Sequence, residues 1–187
     1  MRPSRGKCRP LGIVIMGVSG SGKSTIGRAL AAALKAPFLE GDEYHPAANL
    51  AKMSAGIPLQ DDDRWPWLDA LGAALGAQIR EQGLAVCACS ALKRSYRDRL
   101  RLKADVPLLI VALQADFELI RQRLATRSGH FMPASLLSSQ LATLELPDAS
   151  EQALLLAGDA PLDRIVPAVK ERLQRMSRPQ TIAPGSD

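Results

Sequence analysis

Residues 17–24 read Gly17-Val18-Ser19-Gly20-Ser21-Gly22-Lys23-Ser24, and this octet restricts the fold more than any other stretch of the chain. Its spacing, G-x-x-x-x-G-K-[ST], is that of a loop whose backbone wraps a phosphate group. Glycines let the backbone turn its N–H groups inward, and the helix that follows presents its positive N-terminal end to the same anion. A lysine at the position of Lys23 reaches the β- and γ-phosphates, and a hydroxyl at Ser24 can sit on Mg2+. This mechanism needs a strand before the loop and a helix after it. Leu11–Met16 supplies the apolar run of a buried strand, and Ser24–Lys35 is an Ala- and Leu-rich helical stretch. A chance Gly-rich turn would have neither flank. Residues Gly17, Val18, Ser19, Gly20, Ser21, Gly22, Lys23, Ser24 and Thr25 are therefore read as a nucleotide-phosphate site, with Mg2+ expected beside Ser24.

The rest of the chain repeats the same alternation. Short apolar runs at Pro37–Glu40, Ala85–Ser90, Leu108–Leu113 and Ala153–Leu156 read as strands. Between them lie helical stretches at Pro46–Ala55, Asp61 to about Gln82, Lys93–Lys103, Asp116–Arg127, Ser135–Leu144 and Pro161–Met176. Gly56 is a stop signal, and Asp61–Asp63 place carboxylates where a helix N-terminus favours them. Pro66 is expected in the first turn of its helix, the place that tolerates a missing N–H. Strands alternating with helices predict a three-layer α/β domain of the phosphate-loop type. Its five-stranded parallel sheet carries helices on both faces, a short lid, and ligands at the carboxyl ends of the strands.

Composition narrows the function. The chain has 187 residues, 47% of them apolar, which suits one domain with a real core. No apolar run reaches the roughly 20 residues that span a bilayer, so no membrane association is expected. Three cysteines are an odd count, two of them in one strand-like run, which favours a reducing cytoplasm over a disulfide framework. The formal net charge of +5 invites a nucleic-acid reading. The excess sits at the ends: residues 1–10 carry +4 and residues 170–187 carry +2, leaving 16 basic and 17 acidic groups between them. No nucleic-acid partner is therefore expected. No N-K-x-D guanine-reading motif follows the loop, and the third strand ends Ala88-Cys89-Ser90 without an acid. Small size and that missing acid favour a small-molecule or nucleotide kinase over a GTPase, motor or transporter.

A second constellation follows the second strand: Glu40-Gly41-Asp42-Glu43-Tyr44-His45-Pro46. A carboxylate at Asp42 could orient an acceptor hydroxyl or take its proton. A turn aspartate or helix cap would explain Asp42 equally well, and His45 read alone is a structural or capping histidine.

The runs MGVSGSGKST, FLEGDEYHP, NLAKMSAGIPLQDDDRWPWL, CSALKRSYRDRLR and RLATRSGHFMPASLLSSQLATLE cover most of residues 12–147. Together they resemble the gluconokinases, a small phosphate-loop family related to shikimate and nucleoside-monophosphate kinases. The resemblance implies ATP-dependent phosphorylation of D-gluconate to 6-phosphogluconate in the cytoplasm, and it suggests a homodimer. It makes Asp42 the base or hydroxyl-orienting group, with Glu40 reaching Mg2+ through water. It places His45, Lys52, Arg64, Lys93, Arg97 and His130 among the substrate contacts. Arg97 is the first choice for the gluconate carboxylate, because a guanidinium fork matches a carboxylate bidentately. Read without the resemblance, Lys93–Arg101 is a solvated basic helix face. The sequence departs from the family's pattern at Ala157, in the loop expected to hold adenine, where relatives carry an acidic residue.

Arg123 and Arg127 are four residues apart and share a helix face. The residues that follow, Ser128-Gly129-His130-Phe131-Met132-Pro133, suit a lid that brings arginines onto transferring phosphates. The expected organisation is a basic N-terminal tail at 1–10, a kinase domain at 11–176 with its lid at about 128–134, and a disordered tail at 177–187.

Overall fold

The computed structural model describes residues 10–114, 116–125 and 134–177. Its strands are β1 (Leu11–Met16), β2 (Phe38–Glu40), β3 (Leu84–Ala88), β4 (Leu108–Gln114) and β5 (Ala153–Ala157). They form one sheet in the order β2-β3-β1-β4-β5, and every neighbouring pair is parallel. The sheet class and strand count match the expectation from sequence. β1 is central, pairing Ile13 with Val86 on one side and with Leu109 on the other.

Seven helices complete the described fold: α1 (Lys23–Leu34), α2 (Ala47–Ser54), α3 (Asp61–Gln82), α4 (Arg94–Ala104), α5 (Phe117–Ala125), α6 (Ala134–Thr143) and α7 (Leu162–Ser177). Two 3-10 turns, Gly41–Tyr44 and Ala149–Glu151, have no counterpart in the sequence reading. Successive residues of β1 face opposite layers, and both layers are apolar, which is why this strand reads as an unbroken hydrophobic run. Ile13 and Ile15 pack with Ile26 and Leu30 of α1 and with Ile165 and Val169 of α7. Val14 and Met16 pack with Leu71 and Leu75 of α3 and with Leu100 of α4. A third, smaller cluster of Val18, Leu92, Ile120 and Leu137 seats α5 and α6 on the start of the glycine-rich loop.

The second layer depends on an unusually close helix pair. A methyl group at Gly76 of α3 would lie 2.2 Å from the carbonyl oxygen of Ala104, and one at Gly72 would lie 2.6 Å from Cβ of Lys103. The two helices therefore meet backbone to backbone. α3 begins with Asp61, Asp62 and Asp63 in its first turn. Asp63 Oδ2 accepts the Gln60 N–H at 2.9 Å, closing the turn from its third position. The helix ends at Gly83, which caps it at φ 82°.

Pro66 corrects one expectation. It is the sixth residue of α3, beyond the first turn, and the helix continues through it. The carbonyl of Asp62 thereby loses its helical donor. Ser177 is a second, smaller correction, since it closes α7 instead of opening a tail. Arg127, His130, residues 128–133 of the expected lid, and the tails at 1–9 and 178–187 lie outside the described residues. Among the described residues no helix is long and apolar enough to cross a membrane.

Candidate active site

The phosphate loop joins the end of β1 to α1 at the centre of the sheet. Gly22 caps α1 with φ 96°, in the left-handed region that an L side chain resists. This turn leaves the first N–H groups of α1 facing outward beside the loop. Lys23 Nζ donates to the Val18 carbonyl at 2.9 Å, so the ammonium folds back over the loop. A cavity of about 490 Å3 opens here. Its walls are the loop with Lys23, Ser24 and Thr25, then Asp42 and Arg123, and then Gly158, Ala160, Pro161 and Leu162 after β5. Arg123 Nη1 donates to the Gly158 carbonyl at 3.0 Å and to the Ser21 carbonyl at 3.4 Å, bridging the phosphate loop and the loop after β5. One continuous space thus runs from the phosphate loop to the segment where the sequence placed adenine.

Beside this cavity, at the carboxyl ends of β2 and β3, lies a cluster of ionisable and aromatic groups. The indole Nε1 of Trp67 donates to the Gly41 carbonyl at 2.7 Å and fixes the 3-10 turn that carries Asp42. His45 stacks on Trp67 with ring centres 4.0 Å apart. Burial lowers its pKa to about 4, against the opposing pull of Asp42 and with help from Arg64, so the imidazole is neutral near pH 7. Lys52 Nζ pairs with Asp63 Oδ1 at 2.6 Å. Lys93 Nζ donates to both oxygens of Asp61 at 2.8 Å, and the Tyr96 hydroxyl donates to Asp61 Oδ1. These hydrogen bonds hold the Asp61 carboxyl below the usual range and raise the Lys93 ammonium.

Arg64 is the central cation of the cluster. Its Nη2 donates to the Leu59 carbonyl at 3.0 Å, and its guanidinium lies 5.3 Å from the centre of the Tyr96 ring. Its Nε is buried with no hydrogen-bond partner among the described residues. Its charge acts on His45, Asp61 and Tyr96. Burial pushes the Cys89 thiol up to about 12, and that thiol also feels Asp42, Lys23 and Arg64.

A family model described as an AAA domain matches residues 13–147. The gluconokinase of Gluconobacter oxydans (strain 621H) is 48% identical over 151 residues, which cover 81% of this chain and 84% of that protein. The thermoresistant gluconokinase of Escherichia coli (strain K12) is 44% identical over 163 residues, covering 87% of this chain and 93% of that protein. The chain belongs to the gluconokinase family. The crystal structure of a gluconokinase from Sinorhizobium meliloti 1021 superposes with a TM-score of 0.79 at 48% identity, covering 90% of this chain and 94% of that one. The phosphate-loop kinase fold is thus shared along nearly the whole gluconokinase chain.

Within this gluconokinase fold, most of the sequence-derived residues come together. Lys23, Ser24, Thr25, Asp42 and Arg123 line the one cavity, while Arg64, Lys93, His45 and Lys52 belong to the adjoining cluster. Arg97 is a correction. It is 0% exposed, and its Nε and Nη2 donate to the two oxygens of Glu151, each at 2.6 Å. Its Nη1 donates to the carbonyls of Ala91, Leu92 and Glu145. A guanidinium committed on every nitrogen holds the fold and has no fork left for a sugar acid. Glu40, expected to reach Mg2+ through water, accepts from Arg28 Nη2 at 3.4 Å, and Asp42 lines the cavity. Sequence reasoning missed Asp61, Tyr96 and Trp67. Their side chains meet the site through contacts 26 to 35 residues apart in the chain, which no local pattern reveals.

Proposed function

We propose that this chain is an ATP:D-gluconate 6-phosphotransferase, carrying the terminal phosphoryl group of ATP to the 6-hydroxyl of gluconate. The observation that carries the reading is that Lys23, Ser24, Asp42 and Arg123 line one cavity at the phosphate loop. The names of its relatives supply the substrate. In the reaction the hydroxyl oxygen bonds to the terminal phosphorus, the bond to the bridging oxygen breaks, and ADP leaves with that electron pair. Lys23 and the loop N–H groups take the phosphate charge, and Arg123 adds a guanidinium from its place between the phosphate loop and the loop after β5. Asp42 orients the hydroxyl and receives its proton as the new bond forms. Arg64 is the carboxylate-binding cation, the role from which its engaged donors exclude Arg97. The half-buried Arg64 guanidinium lies beside Tyr96 in the acceptor cluster. Lys93 and His45 shape the polyol side of the pocket.

Mg2+ fits this site as a phosphate-borne ion. No cluster of three or more His, Cys, Asp or Glu side chains among the described residues could cage a metal. Ser24 and Asp42 line the cavity and could each give it one oxygen, with phosphates and water supplying the rest. When bound, the ion neutralises charge on the β- and γ-phosphates. Arg127 and His130 keep the phosphate and substrate roles that the resemblance gives them. A cytoplasmic homodimer is the setting proposed.

A coupled assay of ADP release tests the reading, with gluconate set against shikimate and nucleoside monophosphates. Turnover with gluconate alone is expected, and absence of turnover with gluconate rejects it. Arg64→Leu should raise KM for gluconate by about tenfold or more while leaving KM for ATP within about twofold, the pattern of a lost charge-assisted contact to one substrate.

A further inference from the structure

His45 follows the 3-10 turn that carries Asp42 and stands immediately before Pro46, the N-cap of α2. One face of its ring is covered by Trp67, whose side chain is buried in the core. Four residues on, in the first turn of α2, Asn49 is a buried polar side chain, 3% exposed. Its Nδ2 donates to the backbone carbonyl of Asp63 at 2.7 Å. A carbonyl only accepts, so this contact fixes which end of the side-chain amide is the NH2 group. The same Nδ2 lies 3.2 Å from Nδ1 of His45. An amide NH2 group has two hydrogens to give and accepts none, so its second hydrogen meets Nδ1, and Nδ1 is the bare, accepting nitrogen of the ring. The proton of the neutral imidazole then sits on Nε2, because the bond made by one ring nitrogen sets the state of the other.

Among the described residues the buried side-chain polar atoms without a partner are Ser21 Oγ, Arg64 Nε and Arg172 Nε. His45 Nε2 is not one of them and makes no hydrogen bond to a described residue, so the described residues leave it open, on the edge of the ring away from Asn49. The charged groups acting on the ring are Asp42, which lines the cavity, and Arg64 of the adjoining cluster. We propose that Asn49 is a positioning residue that locks His45 as its Nε2–H tautomer, so that the ring gives a hydrogen bond to a hydroxyl oxygen of gluconate and takes no proton in the reaction. This rests on the reading of the cluster as the gluconate side of the pocket. A proton on Nδ1 would set two N–H groups against each other at 3.2 Å, so the lock holds while Asn49 keeps its bond to Asp63. Asp42 is then left as the acceptor of the hydroxyl proton.

The test is 15N NMR of the imidazole nitrogens in the full chain near pH 7. The chain has two histidines, and the signals missing from His45→Phe identify those of His45. In the wild type Nε2 should carry the proton and Nδ1 should be bare, and saturating gluconate should shift Nε2 while leaving Nδ1 in place. A proton on Nδ1, a mixture of tautomers, or an Nε2 signal that gluconate leaves unmoved overturns the proposal. Asn49→Leu, similar in size and without a donor, should release the ring to a mixture of tautomers. It should raise KM for gluconate about 2- to 10-fold, the worth of one net hydrogen bond, with KM for ATP within about twofold. In a His45→Phe background, which keeps a ring against Trp67, the same substitution should add no further change to that KM. An unchanged KM in Asn49→Leu, or an equal rise in both backgrounds, overturns the positioning role, since packing alone would not act through the ring. The wild-type spectrum decides even where Asn49→Leu fails to fold. A chain that neither binds nor turns over gluconate rejects the substrate reading, whereas the spectrum of the free chain still decides whether Asn49 locks the ring.

Discussion

Arg97 shows how much a single side chain decides. Its charge is buried completely, and Glu151 opposite it is buried to 2% side-chain exposure. Such a pair contributes little net stability compared with apolar replacements, yet losing one partner strands the other. Arg97→Leu should therefore cost about 3–5 kcal/mol in urea unfolding, with KM for gluconate unchanged in the protein that remains folded. His45 gives a pH dependence with a definite sign. Its folded pKa of about 4 lies below the ordinary value of 6.5, so between these values the unfolded chain binds a proton that the folded chain refuses. The stabilisation is full above 6.5 and is lost as pH falls toward 4. Urea titrations across this window should show stability declining toward acid, and His45→Gln should flatten the decline. The carboxylates of Asp61, Asp63 and Asp69 are held low by their cationic partners. They weaken the fold only at still lower pH.

At the scale of elements, α3 and α4 form the pair most sensitive to size. Gly76→Ala must move Ala104 or the whole of α4, and overpacking of this kind costs about 1–3 kcal/mol. Thermal denaturation measures that loss directly. The same elements show what the sequence could disclose. β1, its loop and α1 were legible because three signals agree there: an apolar run, a glycine spacing and an Ala-rich helix. α3 was legible in extent from its acidic start and Gly83, while the place of Pro66 within it was not. The helix accommodates Pro66 through tertiary packing that propensity does not describe. Without the family resemblance Lys93–Arg101 reads as a solvated basic face, and here the pattern misleads. Tyr96, Arg97, Leu100 and Ala104 form the buried side of α4, and the arginine among them is neutralised by Glu151, 54 residues downstream. The acceptor cluster was half visible. Its cations stand in recognisable runs, but the carboxylates that hold Lys93 and Lys52 sit where any helix N-terminus favours an acid, so the sequence does not single them out.

For the molecule as a whole, the positive sum of +5 says little about partners, since the site itself is a local balance of cations against Asp42, Asp61 and Asp63. Ligand binding should report on this balance globally. ATP at 100 times its Kd should stabilise the folded chain by about 2.7 kcal/mol, seen as a rise in Tm, and Lys23→Ala should remove most of the rise along with turnover. The buried face of β3 has a further use. Cys87 in β3 and Cys89 just beyond it are 0% and 1% exposed, and burial raises both thiols far above the range in which a thiolate forms. A maleimide or aromatic disulfide reagent cannot reach them while the strand stays closed. With Cys8 replaced by serine, the rate at which these two thiols react becomes a clock for the opening of the central sheet, readable in a lysate and without any substrate.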